Sequence, residues 1–317
     1  MPTKQELQLL QSLDLETKIK KTRLRIKEWI AYWGEEGVYI SFSGGKDSTV
    51  LLHLVRSLYP NIPAVFADTG LEYPEIRQFV KSFNNVIWVK PKLTFKEIIE
   101  KYGYPVISKK TSKQIRRLQN PSEKNAASRK LSLTGIKRDG TKSKMGKMPE
   151  KWKFLINAPF KISEQCCQYM KKEPFHRYEK KTNRHAFVGI MASDSRDRET
   201  AYLQTGCNSF KKNGNSTPLG FWKEEDIWKY IEKYNIPYCN IYDTGVKRTG
   251  CMFCCLGVHL EKQPNRFQLM QKTHPKQYQY CISGGKFVGE KLIPYKGLGL
   301  AKVLDFLRVK YKEEEES

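Results

Sequence analysis

The stretch Ser41-Phe42-Ser43-Gly44-Gly45-Lys46-Asp47-Ser48 constrains this chain more than any other. The apolar run Val38-Tyr39-Ile40 leads into it, and Thr49 to Leu58 follows with the apolar spacing of a helix. Strand, glycine turn and helix in that order form a phosphate cradle. Glycine lets the backbone approach an anion closely, and a helix N-terminus offers unpaired N–H groups at the positive end of its dipole. Ser43 and Ser48 add hydroxyls, and Lys46 adds a charge. Walker spacing, Gly-x-x-x-x-Gly-Lys-Ser/Thr, does not fit these positions. The alternative is an ordinary tight turn before a helix. Two glycines, a lysine and an aspartate weaken a strand, however, and suit a nucleotide.

The flanking segments extend the pattern. Residues 4–33 read as one mixed-charge helix packed beside the first strand, which is expected at about 37–42. Pro60 and Pro63 end the helix after the loop, and Ala64 to Ala67 forms a second strand. That βαβ unit predicts a parallel sheet with a right-handed crossover. Asp68-Thr69-Gly70 then falls at the carboxyl end of the second strand, the edge where open α/β sheets collect ligands. Helices are expected at 74–83, 96–102, 218–234, 262–272 and 298–311, with further strands at 86–89 and 187–191. The fold class is α/β with a doubly wound, mostly parallel sheet. The expected divisions are an N-terminal helical arm over 1–34, an α/β domain over 35–260, and C-terminal helices with an acidic tail over 261–317.

Charge separates this chain from an ordinary metabolic enzyme. Lys and Arg number 57 against 33 Asp and Glu, a net charge of +24. Such an excess points to a polyanion, most simply nucleic acid, with solubility as the plainer alternative. Residues 109–153 carry about half of it and are poor in apolar periodicity between Asn120 and Pro149. They are expected to be a mobile basic insertion at the mouth of the site, meeting phosphates or simply solvated. The acidic tail Glu313–Glu316 is expected to be disordered. No signal-peptide core is visible and no run approaches about 18 apolar residues, so no membrane span and a cytoplasmic location are expected. Cysteines there stay reduced or hold metal.

Eight cysteines are present, and Cys166-Cys167 with Cys251-Met252-Phe253-Cys254 are the informative ones. Two thiolate pairs far apart in sequence can converge on one metal centre. Zinc and a 4Fe–4S cluster both accept four thiolates, so spacing leaves both open. Reduced core cysteines, or a redox dithiol at 251/254, are the alternatives. Cys255 reads as a further thiol beside the centre or as a packed small residue. His53 reads as a satisfied core histidine rather than a base.

Together these blocks resemble the phosphoadenosine-phosphosulfate reductase family of PP-loop proteins, over about residues 35–255. Ser43 to Ser48 looks like the PP-loop, and Asp68-Thr69-Gly70 with Glu72-Tyr73-Pro74-Glu75 like the second nucleotide segment. Gly189 to Arg198, Gly-Ile-Met-Ala-Ser-Asp-Ser-Arg-Asp-Arg, is similar to the family's Gly-Ile-Arg-x-x-Glu-Ser-x-x-Arg block, with Met191 in place of its first arginine. Pro218, Trp222, Asp226 to Trp228, Asn235 to Tyr238 and Tyr242 to Gly245 match the segment before the metal cysteines. Cys166-Cys167, Lys171 and Pro174, with Gly250-Cys251 and Cys254, are similar to the cluster signature of adenylylsulfate reductases. The resemblance implies a 4Fe–4S cluster on Cys166, Cys167, Cys251 and Cys254, with Lys171 near cluster and phosphates. It also implies nucleotide contacts at Ser41, Ser43, Gly44, Gly45, Lys46, Asp47, Ser48, Asp68, Thr69, Gly70, Gly189, Ser195 and Arg198, with phosphate contacts at Lys247 and Arg248.

Two departures turn the expectation away from sulfate reduction. The reductases end in Glu-Cys-Gly-Leu/Ile-His, whereas no cysteine follows Cys281 here. Reductases also carry a degraded PP-loop, whereas this one is intact. The expected enzyme therefore cleaves ATP between the α- and β-phosphates. Lys46, Asp47, Ser48 and Asp68 are its catalytic candidates, and Mg²⁺ sits on the Asp47 side. The activated acceptor, tRNA or DNA, then takes sulfur from a donor such as a cysteine desulfurase. The rivals are a sulfonucleotide reductase using another thiol, such as Cys281, and a nucleotide-binding subunit without turnover in a DNA-modifying or defence assembly.

Overall fold

Residues 1–143, 145–284, 286–288, 291–293 and 297–312 are described by the computed structural model; the acidic tail lies outside the described residues. The chain forms two compact units. The first comprises Met1–Asp68, Glu72–Pro91 and Glu173–Thr249. The second comprises Thr69–Leu71, Lys92–Lys172 and the chain from Gly250 onward. Among the described residues no helix is long and apolar enough to cross a membrane.

The first unit is an α/β layer structure around four parallel strands. These are β1 (Val38–Ser41), β2 (Ala64–Ala67), β3 (Val86–Val89) and β5 (His185–Val188), in the order β3-β2-β1-β5. β1 and β2 are buried along nearly their whole length, as expected for parallel strands covered on both faces. Side chains alternate across a strand. Tyr39 and Val65 pack with Tyr178 of α8 (Glu173–Thr182), while α3 (Lys46–Arg56) packs on β1 and β5. β5 begins two residues before the expected position. Its register with β1 pairs Val38 with His185 and Ser41 with Val188, and the chain turns out of the sheet at Gly189.

The N-terminal 33 residues form two helices, not one. Thr3 and Glu6 make a reciprocal cap on α1 (Lys4–Ser12), and Asp14 caps α2 (Leu15–Trp33). The cap at Asp14 is what breaks the expected continuous helix. α2 is pinned by a buried ion pair, Lys18 Nζ to Asp226 Oδ2 at 2.7 Å, whose acid lies on α10 (Glu224–Lys233). The other helices of this unit are α4 (Pro74–Lys81) and α9 (Arg196–Thr205).

The second unit is mostly helical. α5 (Phe95–Tyr102) is capped by Thr94 and Glu97. Short parallel strands β4 (Val106–Ile107) and β6 (Cys255–Leu256) pair at its centre. The basic stretch expected to be mobile is folded. It contains α6 (Lys109–Gln119), α7 (Ala126–Thr134) and an antiparallel bridge between Ile136 and Lys142. Its few apolar residues are spaced too irregularly to read as a period, yet Ile115 and Met148 are fully buried. Met148 N–H also donates to the Ser132 carbonyl at 2.8 Å. α11 (Arg266–Thr273), α12 (Pro275–Ile282), an antiparallel ribbon of β7 (Lys286–Val288) and β8 (Lys291–Ile293), and α13 (Ala301–Phe306) complete it. α11 and α13 overlap the helices expected at 262–272 and 298–311, whereas α12 and the ribbon were not expected from the sequence.

Candidate functional site

The loop of the first unit is built by three backbone demands. Ser41 ends β1, Gly44 turns at φ +72°, and Gly45 opens α3 with no side-chain cap. A Cβ on Gly44 would stand 2.7 Å from Val80 Cγ2, and one on Gly45 2.6 Å from Thr249 Oγ1. The loop closes on itself. Ser43 N–H donates to Ser48 Oγ at 3.2 Å, and Ser48 Oγ donates to the Gly45 carbonyl at 2.9 Å. The N–H of Lys46 at the uncapped helix start donates to Tyr242 Oη at 2.9 Å. Tyr242 Oη lies 3.2 Å from Thr249 Oγ1.

The Lys46 side chain is 6% exposed. Its ammonium lies 3.0 Å from Glu224 Oε1 and 3.4 Å from Asp47 Oδ1, beside the rings of Trp228 and Tyr242. Burial alone would push this ammonium down, but Asp47 and Glu224 outweigh it and the net shift is upward. Lys46 is therefore held as a cation. Burial pushes the Asp47 carboxyl up, with Asp194 and Glu224 adding to the rise and Lys46 opposing it. Its buried Oδ1 has no hydrogen-bond partner among the described residues. Asp68 ends the segment after β2, where Oδ2 meets Arg77 Nη2 at 3.0 Å and its buried Oδ1 is also unpartnered.

The end of β5 approaches the same loop. A Cβ on Gly189 would stand 3.1 Å from the Asp47 carbonyl and from Ser48 Cα, so only glycine fits without displacement. Ser195 caps α9 by accepting the Arg198 N–H at 3.3 Å. Arg198 pairs with Asp194, and Arg248 lies 4.0 Å from the same carboxylate. Lys247 is exposed and makes no ion pair among the described residues. Thr69 and Gly70 fall in the second unit, where Thr69 Oγ1 accepts the Leu71 N–H at 3.2 Å. Glu224, Trp228, Tyr242, Thr249 and Asp194 were not singled out as site residues from sequence. Glu224 lies inside the helix expected at 218–234, which in the structure begins only at Glu224.

In the second unit Cys166, Cys167, Cys251 and Cys254 line one pocket, together with Lys171 and the apolar Leu71, Phe95, Met170 and Phe253. The adjacent pair sits in a helical turn, with Cys166 Sγ 3.9 Å from Cys167 Sγ. The Cys166 thiol is pushed up by donating to Cys167. That bond, with Lys109, Lys171 and Lys172, holds Cys167 down to about 6 against its burial. The Cys251–Cys254 turn is closed by the Cys254 N–H on the Cys251 carbonyl at 3.2 Å. Arg266 Nη1 clamps the Cys254 carbonyl at 3.0 Å while Glu261 holds Arg266 at 2.7 Å. Among the described residues no three His, Cys, Asp or Glu gather closely enough for one metal ion. Cys255 and Cys281 are wholly buried and their thiols are pushed up by burial. That removes Cys281 as an exposed attacking thiol. His53 is bonded to Tyr230 Oη at 2.8 Å, a satisfied core histidine.

The profile of the phosphoadenosine phosphosulfate reductase domain matches residues 37–150 and 86–256. An uncharacterized protein of Methanocaldococcus jannaschii is 26% identical over 248 residues, which is 76% of this chain and 46% of that protein. A second from the same organism is 26% identical over 221 residues, 68% of this chain and 36% of its own length. This chain thus spans less than half of these two relatives. An adenosine 5'-phosphosulfate reductase of Bacillus cereus is 22% identical over 246 residues, 75% of this chain and 81% of that protein. The crystal structure of phosphoadenylyl-sulfate reductase from Candida auris aligns with a TM-score of 0.44 at 14% identity, over 79% of this chain and 96% of that one.

Proposed function

The chain belongs to the phosphoadenosine phosphosulfate reductase domain family, and from that premise we propose that it activates a nucleic-acid acceptor with ATP for sulfur incorporation. The acceptor oxygen attacks the α-phosphorus, the bond to the bridging oxygen breaks, and pyrophosphate leaves. Lys46 and the α3 amides hold the leaving pyrophosphate, with Ser43 and Ser48 assisting. To do so they exchange Tyr242 and Glu224 for phosphate oxygens. Asp68 carries a buried oxygen without a hydrogen-bond partner, and Asp47 Oδ1 meets the Lys46 ammonium at 3.4 Å; both carboxylates suit a hard cation beside phosphates. Magnesium, when bound, supplies charge neutralisation there. Ser41, Gly189, Ser195, Arg198 and Arg248 complete the nucleotide side, and catalysis is positioning plus electrostatics.

The four pocket cysteines fit a 4Fe–4S cluster. Their donor set is all sulfur and the pocket around them is largely apolar. The cluster, when bound, supplies a site for sulfur binding or relay. Lys109 and Lys171 bias Cys167 toward the thiolate that such a centre requires.

One observation carries the ATP reading: an intact Ser-Gly-Gly-Lys-Asp-Ser loop whose lysine is buried and held charged. The test is anaerobic incubation with ATP, alone and with tRNA or DNA. Pyrophosphate and AMP are expected; the absence of both in every arm overturns the reading. The relatives named adenosine 5'-phosphosulfate reductase favour a second reading, sulfonucleotide reduction. Sulfite released from adenylylsulfate with thioredoxin would establish it instead.

A further inference from the structure

We propose that the exposed face of α6, with the bridge hairpin after α7, is the surface that takes the backbone of a double-helical nucleic acid. The inference rests on the nucleic-acid part of the function above and names the surface and the form of the partner. Lys110, Lys113 and Arg117 stand at i, i+3 and i+7, so they form one stripe of the helix. The opposite side buries Thr111, Ser112 and Ile115. Over those seven residues the stripe runs about 10 Å, at 1.5 Å per residue. None of the three pairs with a carboxylate among the described residues, whereas the neighbouring Arg116 is neutralised by Glu164 at 2.9 Å. The first turn of α6 contains Lys109 and Lys110 and no acid. Cations there oppose the helix dipole, so these charges cost helix stability and serve something outside the helix. Exposed Lys137, Arg138 and Lys142 add to the field.

Composition decides the form of the partner. Residues 109–143, which build α6 and the hairpin, hold 11 Lys and Arg, two acids and no Phe, Tyr or Trp; the first ring beyond them is Trp152. Surfaces for single strands stack unpaired bases on aromatic rings. A folded cationic surface without rings can offer charge to phosphates only, which suits a helix whose bases are already stacked and paired.

The experiment measures binding of the full chain, without ATP, to a short RNA hairpin, a DNA duplex and a single strand of equal length. Salt is varied between about 50 and 200 mM, the range over which phosphate contacts are lost steeply. Wild type is expected to hold at least one duplex more tightly than the single strand. Lys110→Gln/Lys113→Gln/Arg117→Gln is expected to lower the slope of log K against log salt by about 2–3 and to weaken duplex binding on the order of tenfold or more. The control Lys20→Gln/Lys27→Gln/Lys211→Gln removes equal charge from the other unit and is expected to leave the slope unchanged. If the α6 variant fails to fold, Lys137→Gln/Arg138→Gln/Lys142→Gln replaces it, with the same expectation. An unchanged slope, equal loss in the control, or tighter binding of the single strand overturns the proposal. Because ATP is absent, failure here is separable from failure of pyrophosphate release.

Discussion

Lys46 is the residue on which the proposed nucleotide site turns, and it is already engaged. Its ammonium faces Glu224 at 3.0 Å, and its amide donates to Tyr242 at 2.9 Å. In the proposed site a phosphate must displace both, so Glu224 would compete with it. The Glu224 side chain is 61% exposed, which places the pair among surface ion pairs worth about 0.2–1 kcal/mol. Glu224→Gln is therefore expected to tighten Mg-ATP or pyrophosphate binding about 1.5- to 5-fold, the same energy expressed as a dissociation constant. Isothermal titration decides it, and equal or weaker binding would refute the competition.

Two contacts between elements set the frames of the two units. In the second unit, Gly103 passes the 161–162 backbone so closely that a Cβ would stand 2.4 Å from the Lys161 carbonyl carbon, at a φ of +108°. Tyr104 N–H donates to the Lys161 carbonyl at 2.8 Å, and the bridge leads directly into Cys166–Cys167. Gly103→Ala has no flexible neighbour to displace. It is expected to cost about 1–3 kcal/mol or more and, on the proposed cluster reading, to lower the iron retained after reconstitution. Gly140→Ala shares a positive φ but meets nothing within 4 Å, so only about 1–2 kcal/mol of backbone strain is expected. Urea unfolding of the two variants separates crowding from strain; equal losses would show that the close approach does not matter. In the first unit, α2 and α10 are joined by Lys18 and Asp226, whose side chains are only 2% and 6% exposed. Lys18→Met strands a buried carboxylate and should cost about 3–5 kcal/mol, whereas Lys18→Met/Asp226→Leu should recover most of that loss. A double variant as unstable as the single one would contradict this.

Across the whole molecule, three histidines share one bias. Burial pushes His53, His185 and His259 down from 6.5, helped by Arg23 at the first and Lys151 at the third, and opposed by Glu179 at the second. At these three groups the fold therefore binds fewer protons than the unfolded chain. This part of the stability is fully present above about pH 6.5 and is lost as pH falls through the lowered values. The urea midpoint should drop between about pH 7 and pH 5.5; a flat profile would argue against it. Charge acts at the same scale. A chain at +24 repels itself, and about half of the excess lies in one folded region, residues 109–153.

The loop, the parallel sheet and the PP-loop family were legible in sequence because each rests on local chemistry. Glycines at 44 and 45, apolar runs at strand length and prolines at 60 and 63 act on their own neighbours. The cysteine pairs were legible as a set because few roles suit four thiols at that spacing. Other features needed the fold. Glu224 and Tyr242 lie nearly two hundred residues from Lys46, and no local signal aims them at it. The order of the basic stretch is not legible in sequence because Ile115 and Met148 follow no period; their burial and backbone bonds such as Met148 N–H to the Ser132 carbonyl order it. Cys281 looked available until helix packing closed over it. The glycine-rich turn at 41–48 was chosen by residue chemistry, but its partners were chosen by packing, because burial and charge pairing are properties of what meets in space.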